Sequence, residues 1–107
     1  MDDAPLAEIV FTGEVIEWRG PAPFYFVAIP PEHSGAIRHA ARQASYGWGV
    51  VPVRATLGDG AAFTTSLFPR QGDYLLPLKN AVRRAAEAMP GDTVAVALRI
   101  DASAPRR

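Results

Sequence analysis

The chain has 107 residues, with eleven basic and eleven acidic side chains, 49% hydrophobic residues, 21% charged residues and no cysteine. These figures fit one globular domain with one core and exclude a disordered segment. They also exclude disulfides, thiolate metal sites and thiol chemistry. No run reaches the roughly 18 apolar residues that a spanning helix needs. The start, Met1-Asp2-Asp3-Ala4-Pro5, is acidic and has no apolar run, so the sequence reads as a cytoplasmic protein without a secretory signal.

Residues 7–18 are rich in β-branched and aromatic types and alternate Ile9, Phe11 with Glu8, Val10 and Thr12, which predicts a strand with one partly polar face. Gly13 interrupts that run and marks a bulge or bend. Arg19 to Pro23 form a turn. Phe24 to Ile29 read as a short strand buried on both faces, stopped by Pro30 and Pro31. A helix follows, from Pro31 to about Ala44, with the stripe Ile37, Ala40, Ala41, Ala44. Tyr46-Gly47-Trp48-Gly49 breaks it.

Val50 to Leu57 predict a strand that has an edge or a bulge at Pro52, because proline cannot donate to a ladder. Gly58-Asp59-Gly60 predict a hairpin turn and Ala61 to Leu67 the return strand. Residues 68–72 read as a loop, Asp73 to Leu76 as a strand ended by Pro77, and Pro77 to Met89 as a second helix with the stripe Val82, Ala85, Ala86, Met89. Pro90-Gly91-Asp92 are expected to end that helix. Thr93 to Ile100 form the last strand. Residues 1–101 thus make one domain and 102–107 a flexible tail. The fold class is mostly β with two helices, a small closed or nearly closed β-barrel whose helices cover its ends.

Charge is balanced only in total. Residues 1–32 carry six acids and one base, and residues 33–107 carry five acids and ten bases. The two parts are expected to attract each other within the domain. Residues 36–42 (Ala-Ile-Arg-His-Ala-Ala-Arg) also resemble residues 81–87 (Ala-Val-Arg-Arg-Ala-Ala-Glu) at an offset of 45. Each follows an Ile-Pro or Leu-Pro pair and precedes a strand led by glycine. The echo points to an internal duplication of a ββαβ unit.

Local motifs for catalysis are missing. His33 and His39 stand six apart, off a shared helix face, and no His-Glu or cysteine spacing suits a metal. There is no nucleophile elbow, and Gly47-Trp48-Gly49 and Gly58-Asp59-Gly60 lack the residues of a phosphate loop. No cofactor is expected, and no enzyme chemistry is read from the sequence. Phe11, Phe24, Phe26 and Phe63 are expected in the core. Trp18, Tyr25, Tyr46, Trp48 and Tyr74 are expected at a rim.

Basic residues offer the best candidate contacts. Lys79 and Arg83 lie one turn apart beside the second stripe, and Arg38 holds beside Ile37 the place that Arg83 holds beside Val82. Their heads either pair with Glu14, Glu17 or Asp92 or form an anion site. With Trp48 as an aromatic platform, these four residues are the candidate ligand contacts.

The run from Gly72 to Arg83, followed by Pro90-Gly91-Asp92-Thr93-Val94, resembles a bacterial family, domain of unknown function 1905. Phe11-Thr12-Gly13, the segment Phe24 to Pro30, Val51-Pro52-Val53 and Phe63 to Leu67 fit the same pattern, so the resemblance spans residues 8–101. It implies a double-split β-barrel with duplicated halves and brings no established activity. The fold is distantly related to dimeric barrels that bind DNA, such as antitoxins and transition-state regulators, but a fold does not transfer a function. The sequence therefore favours a non-enzymatic module for a small anion or a protein partner, monomeric and without a membrane role. The alternative is a nucleic-acid-binding barrel of the dimeric antitoxin type, against which the zero net charge weighs.

Overall fold

The computed structural model describes residues 5–21, 24–44 and 51–101. Six strands and two helices follow in the order β1 (Ala7–Trp18), β2 (Phe24–Ala28), α1 (Ser34–Ala44), β3 (Val51–Leu57), β4 (Phe63–Arg70), β5 (Asp73–Leu78), α2 (Asn80–Ala85) and β6 (Thr93–Ile100). A single 3-10 turn, Pro31–His33, leads into α1. All neighbouring strands are antiparallel and close a barrel in the order β1-β2-β5-β4-β3-β6. No helix among the described residues is long and apolar enough to cross a membrane.

Two strands serve both sides of this barrel. Residues 7–14 of β1 pair with β6, and residues 15–18 pair with β2. In the same way residues 63–67 of β4 pair with β3, and residues 68–70 pair with β5. Gly13 sits just before β1 changes partner. A Cβ there would lie 2.5 Å from Cγ1 of Val27, so the close crossing of β1 over β2 requires glycine. Exchanging β1 with β4, β2 with β5 and β3 with β6 returns the same cyclic strand order.

Alternation fills the barrel from every strand. Ile9, Phe11 and Val15 of β1, Val27 of β2, Val53 and Leu57 of β3, Leu67 of β4, Leu76 of β5 and Val96, Leu98 and Ile100 of β6 all join one core. Ile37 and Ala40 close one end from α1, and Ala41 packs partly against them. The side chain of Ala44, the fourth member of that stripe, lies outside the described residues. So do Val50, the segment with Tyr46 and Trp48, and the tail 102–107.

Pro52 sits where β3 has only β4 beside it, because its pairing with β6 starts at Arg54. That meets the expectation of an edge. Pro77 does not end its strand. β5 continues to Leu78 with Phe26 opposite Pro77, at a point where β4 has already left β5 for β3 and no ladder on that side needs an N–H.

Three other expectations are corrected. Residues 68–70 are strand, not loop. β4 and β5 join through Gln71 and Gly72, both at positive φ (53° and 87°), a two-residue turn whose twist matches the flanking strands. The second helix covers only Asn80–Ala85. It ends because Glu87 adopts φ 55°, and the N–H groups of Glu87 and Ala88 return to the carbonyls of Arg84 and Arg83. That turn sends Ala88 into the core, while Ala85 and Met89, predicted for the stripe, are exposed. Gly91 (φ 93°) belongs to the next turn, which hydrogen-bonds Val15 from both sides.

The third correction concerns the aromatics. Phe11 is in the core, Phe63 packs partly against it, and Phe26 is buried as expected, though on the face of β2 away from the barrel interior; Phe24, on that same face, is exposed. Tyr74, expected at a rim, is buried in the core.

Candidate anion site at one barrel end

The α2 end of the barrel is built by β2, β5 and the short helix. Lys79 leaves β5 in an extended conformation (φ −71°, ψ 154°), and its carbonyl accepts the N–H of Arg83 at 3.0 Å. The carbonyl of Arg83 in turn accepts the N–H of Ala88 at 2.9 Å. The Arg83 backbone is thereby fixed on both sides, once by the first helical turn and once by the turn at Glu87.

The side chain of Arg83 reaches over Tyr25 of β2. Its Cζ is 3.9 Å from the centroid of the Tyr25 ring, a close cation–π contact. Tyr25 faces the barrel interior opposite Leu78 on β5 and Glu17 on β1. Nη2 of Arg83 donates to Oδ1 of Asn80 at 3.5 Å, which is long for a hydrogen bond. Nε is buried and has no hydrogen-bond partner among the described residues. A buried donor left in this state costs about 1–3 kcal/mol.

Arg83 has no carboxylate partner among the described residues. The ion pairs among the described residues are Arg19 with Glu17, His33 with Glu32 and Arg99 with Asp101. Only the pair of sequence neighbours Glu32 and His33 crosses the boundary at residue 32, and no Lys or Arg of the basic remainder pairs with an acid of the first third among the described residues. Glu17 is turned to Arg19 at 3.8 Å, and Asp92 accepts the N–H of Met89 at 2.8 Å through Oδ2.

Arg38 has a different part. Its Nη2 donates to the carbonyl of Gly72 at 2.9 Å, and from the same helix the buried Ser34 hydroxyl donates to Oδ1 of Asp73 at 2.8 Å. Both contacts fasten α1 to the turn between β4 and β5. Since α1 follows β2, α2 follows β5, and these strands are antiparallel neighbours, Arg38 and Arg83 stand at opposite ends of the ladder. Lys79 stays beside Arg83, exposed, with no side-chain partner among the described residues. Trp48 lies outside the described residues.

Reading the sequence missed Tyr25 and Asn80 as parts of this end. Asn80 precedes Arg83 by three residues, a helical spacing that places both on one side. Nothing local ties Tyr25 to Arg83; only the β2–β5 register does. Chemically, the group is a permanent cation on an aromatic support, with one edge short of acceptors. Among the described residues no cluster of three or more His, Asp or Glu is placed to hold a metal.

A family model for a domain of unknown function (DUF1905) matches residues 11–98, most of the chain. The chain belongs to that family. No curated protein matches it.

Proposed function

We propose that this domain is a non-enzymatic module that binds a small anion, a carboxylate or a phosphate, through Arg83. The observation that carries the reading is the buried Nε of Arg83, unbonded on a guanidinium that no carboxylate neutralises among the described residues. Nε and Nη2 form the edge that receives two oxygens side by side. A ligand oxygen that replaces the long contact to Asn80 gives Nη2 a full acceptor, and Nε, which is enclosed, is reached only when the site opens on binding. Tyr25 keeps the guanidinium plane in place, and Lys79 adds a mobile second charge.

A thermal-shift panel at low salt tests this, with inorganic phosphate, phosphorylated sugars, nucleotides, dicarboxylates and short duplex DNA. A ligand near 100 times its dissociation constant adds about 2.7 kcal/mol, several degrees for a domain of this size. The expected result is a shift with one class of small anion that Arg83→Gln abolishes. A shift that Arg83→Gln leaves intact removes the site. A shift with duplex DNA alone, fading with salt, favours the antitoxin-like alternative instead.

The exchange of halves that preserves the strand order supports the reading of the sequence echo as a duplicated ββαβ unit. Cutting the chain at Asp59 should then leave two pieces that reassemble; pieces that do not reassociate count against independent units. A barrel closed within one chain needs no partner to complete a sheet, which supports a monomer. Sedimentation equilibrium showing a dimer at micromolar concentration would refute that.

A further inference from the structure

The two sheets of the barrel treat their outer faces differently. One sheet holds residues 15–18, β2, β5 and residues 68–70. Trp18 ends β1 and Arg70 ends β4, which puts them at diagonal corners of that sheet. Yet Cζ of Arg70 lies 5.4 Å from the centroid of the Trp18 ring, so the outer face curls over along the diagonal. Aromatic side chains fill the hollow. The rings of Phe24 and Phe26 are 5.7 Å apart and those of Phe24 and Phe68 are 6.3 Å apart. Phe26 is only 5% exposed, although it lies outside the barrel core.

The other sheet also has a hollow outer face, a groove of about 280 Å³ across β1, β6 and β3. Here the outward residues are small or charged: Glu8 and Val10 on β1, Ala97 and Arg99 on β6, Arg54 and Thr56 on β3. No aromatic residue lines the groove, and Val10 stays 73% exposed. The strand register sets Arg54 directly opposite Arg99, and Glu8 opposite Arg99 on its other side. Like charges directly opposite each other destabilise a sheet. Asp101 takes Nε of Arg99 at 2.8 Å. Arg54 has no ion pair or hydrogen bond among the described residues.

We infer that this groove binds a small monocarboxylate with an apolar body. The carboxylate sits on Arg54, and the body lies on Val10 and Ala97, occupying the space that Phe24, Phe26 and Phe68 fill on the opposite wall. Its volume of about 280 Å³ is just under the roughly 300–1,000 Å³ of ordinary small-molecule sites, enough for a ligand built on a single ring. Glu8 lies two strands from Arg54, about 10 Å away, and repels a second negative group. The site is separate from the Arg83 end and does not depend on the reading given above.

The test is a titration of the ¹H–¹⁵N spectrum with benzoate, and with benzyl alcohol and succinate as controls. Benzoate is expected to move the amides of Val10, Thr56 and Ala97, with both controls weaker. Arg54→Gln is expected to weaken benzoate roughly tenfold or more, the loss of a charge-assisted contact. Ala97→Phe, which places an aromatic in the groove, is expected to abolish binding with no fall in melting temperature. Arg83→Gln is expected to leave the titration unchanged. The proposal is overturned if these amides stay still at the solubility limit of benzoate, or if Arg54→Gln binds as well as the parent. Should Ala97→Phe fail to fold, the comparison of Arg54→Gln with the parent decides alone.

Discussion

At the α1 end of the barrel, two polar side chains of the helix are fastened to the β4–β5 turn. Arg38 meets the Gly72 carbonyl, Ser34 meets Asp73, and Ile37 is fully buried between them and the core. At the α2 end, the corresponding arginine rests on a tyrosine with its Nε unbonded, beside a half-buried Val82 and above a helix of six residues. The two helices echo each other in sequence, yet one end is fastened and the other is left with an unmatched cation. The lesson is that the resemblance of Arg38 and Arg83 belongs to the backbone they stand on and stops at their partners.

The comparison breaks most visibly in the core. Ile37→Ala should cost about 2–5 kcal/mol, against about 1 kcal/mol for Val82→Ala, in urea melts. Equal losses would mean that α2 closes its end as tightly as α1. Next, Ser34→Ala leaves the Asp73 carboxylate without its buried donor and should cost about 1–2 kcal/mol by the same melts. No loss would show that Arg38 alone fastens the turn.

The arginines themselves give the finest contrast. Arg38→Met should lose up to about 1 kcal/mol with its bond to Gly72. Arg83→Met removes an unsatisfied donor but also the cation–π contact with Tyr25, and the two offset each other, so the change should lie within about 0.5 kcal/mol of zero. A loss as large as that of Arg38→Met would make Arg83 a structural residue. Finally, Glu87→Gly should raise stability by about 0.5 kcal/mol, because glycine holds φ 55° without the strain of a Cβ. A fall would mean that the Glu87 side chain holds the turn by contacts of its own.

Much of this fold is legible in the sequence where period-two alternation is long. β1 and β6 begin and end where the pattern places them, at residues 7–18 and 93–100. The β4–β5 hairpin is not legible, because Phe68-Pro69-Arg70-Gln71-Gly72 looks like a loop and only the register reveals that Gln71 and Gly72 carry the whole turn. The end of α2 is hidden for a similar reason. Gly91 and Pro90 look like its stop, but a glutamate four residues earlier takes the left-handed conformation for which the sequence offers no signal. For the candidate site, Arg83 and Lys79 stand out as an apolar stripe's basic flank. Their aromatic support depends on the long-range pairing of β2 with β5, which local pattern does not encode.

The pairing of β1 with β6 joins Ala7 to Ile100. Among the described residues, 7–14 pair with no other strand, so the first strand of the domain waits for its last before its ladder can form. During that interval Ile9 and Phe11 have neither their partner strand nor their finished core. Chains dominated by such distant contacts fold in about milliseconds to seconds. Stopped-flow refolding should therefore show amide protection in residues 7–14 arriving with the final phase, and protection there ahead of β6 would contradict the order.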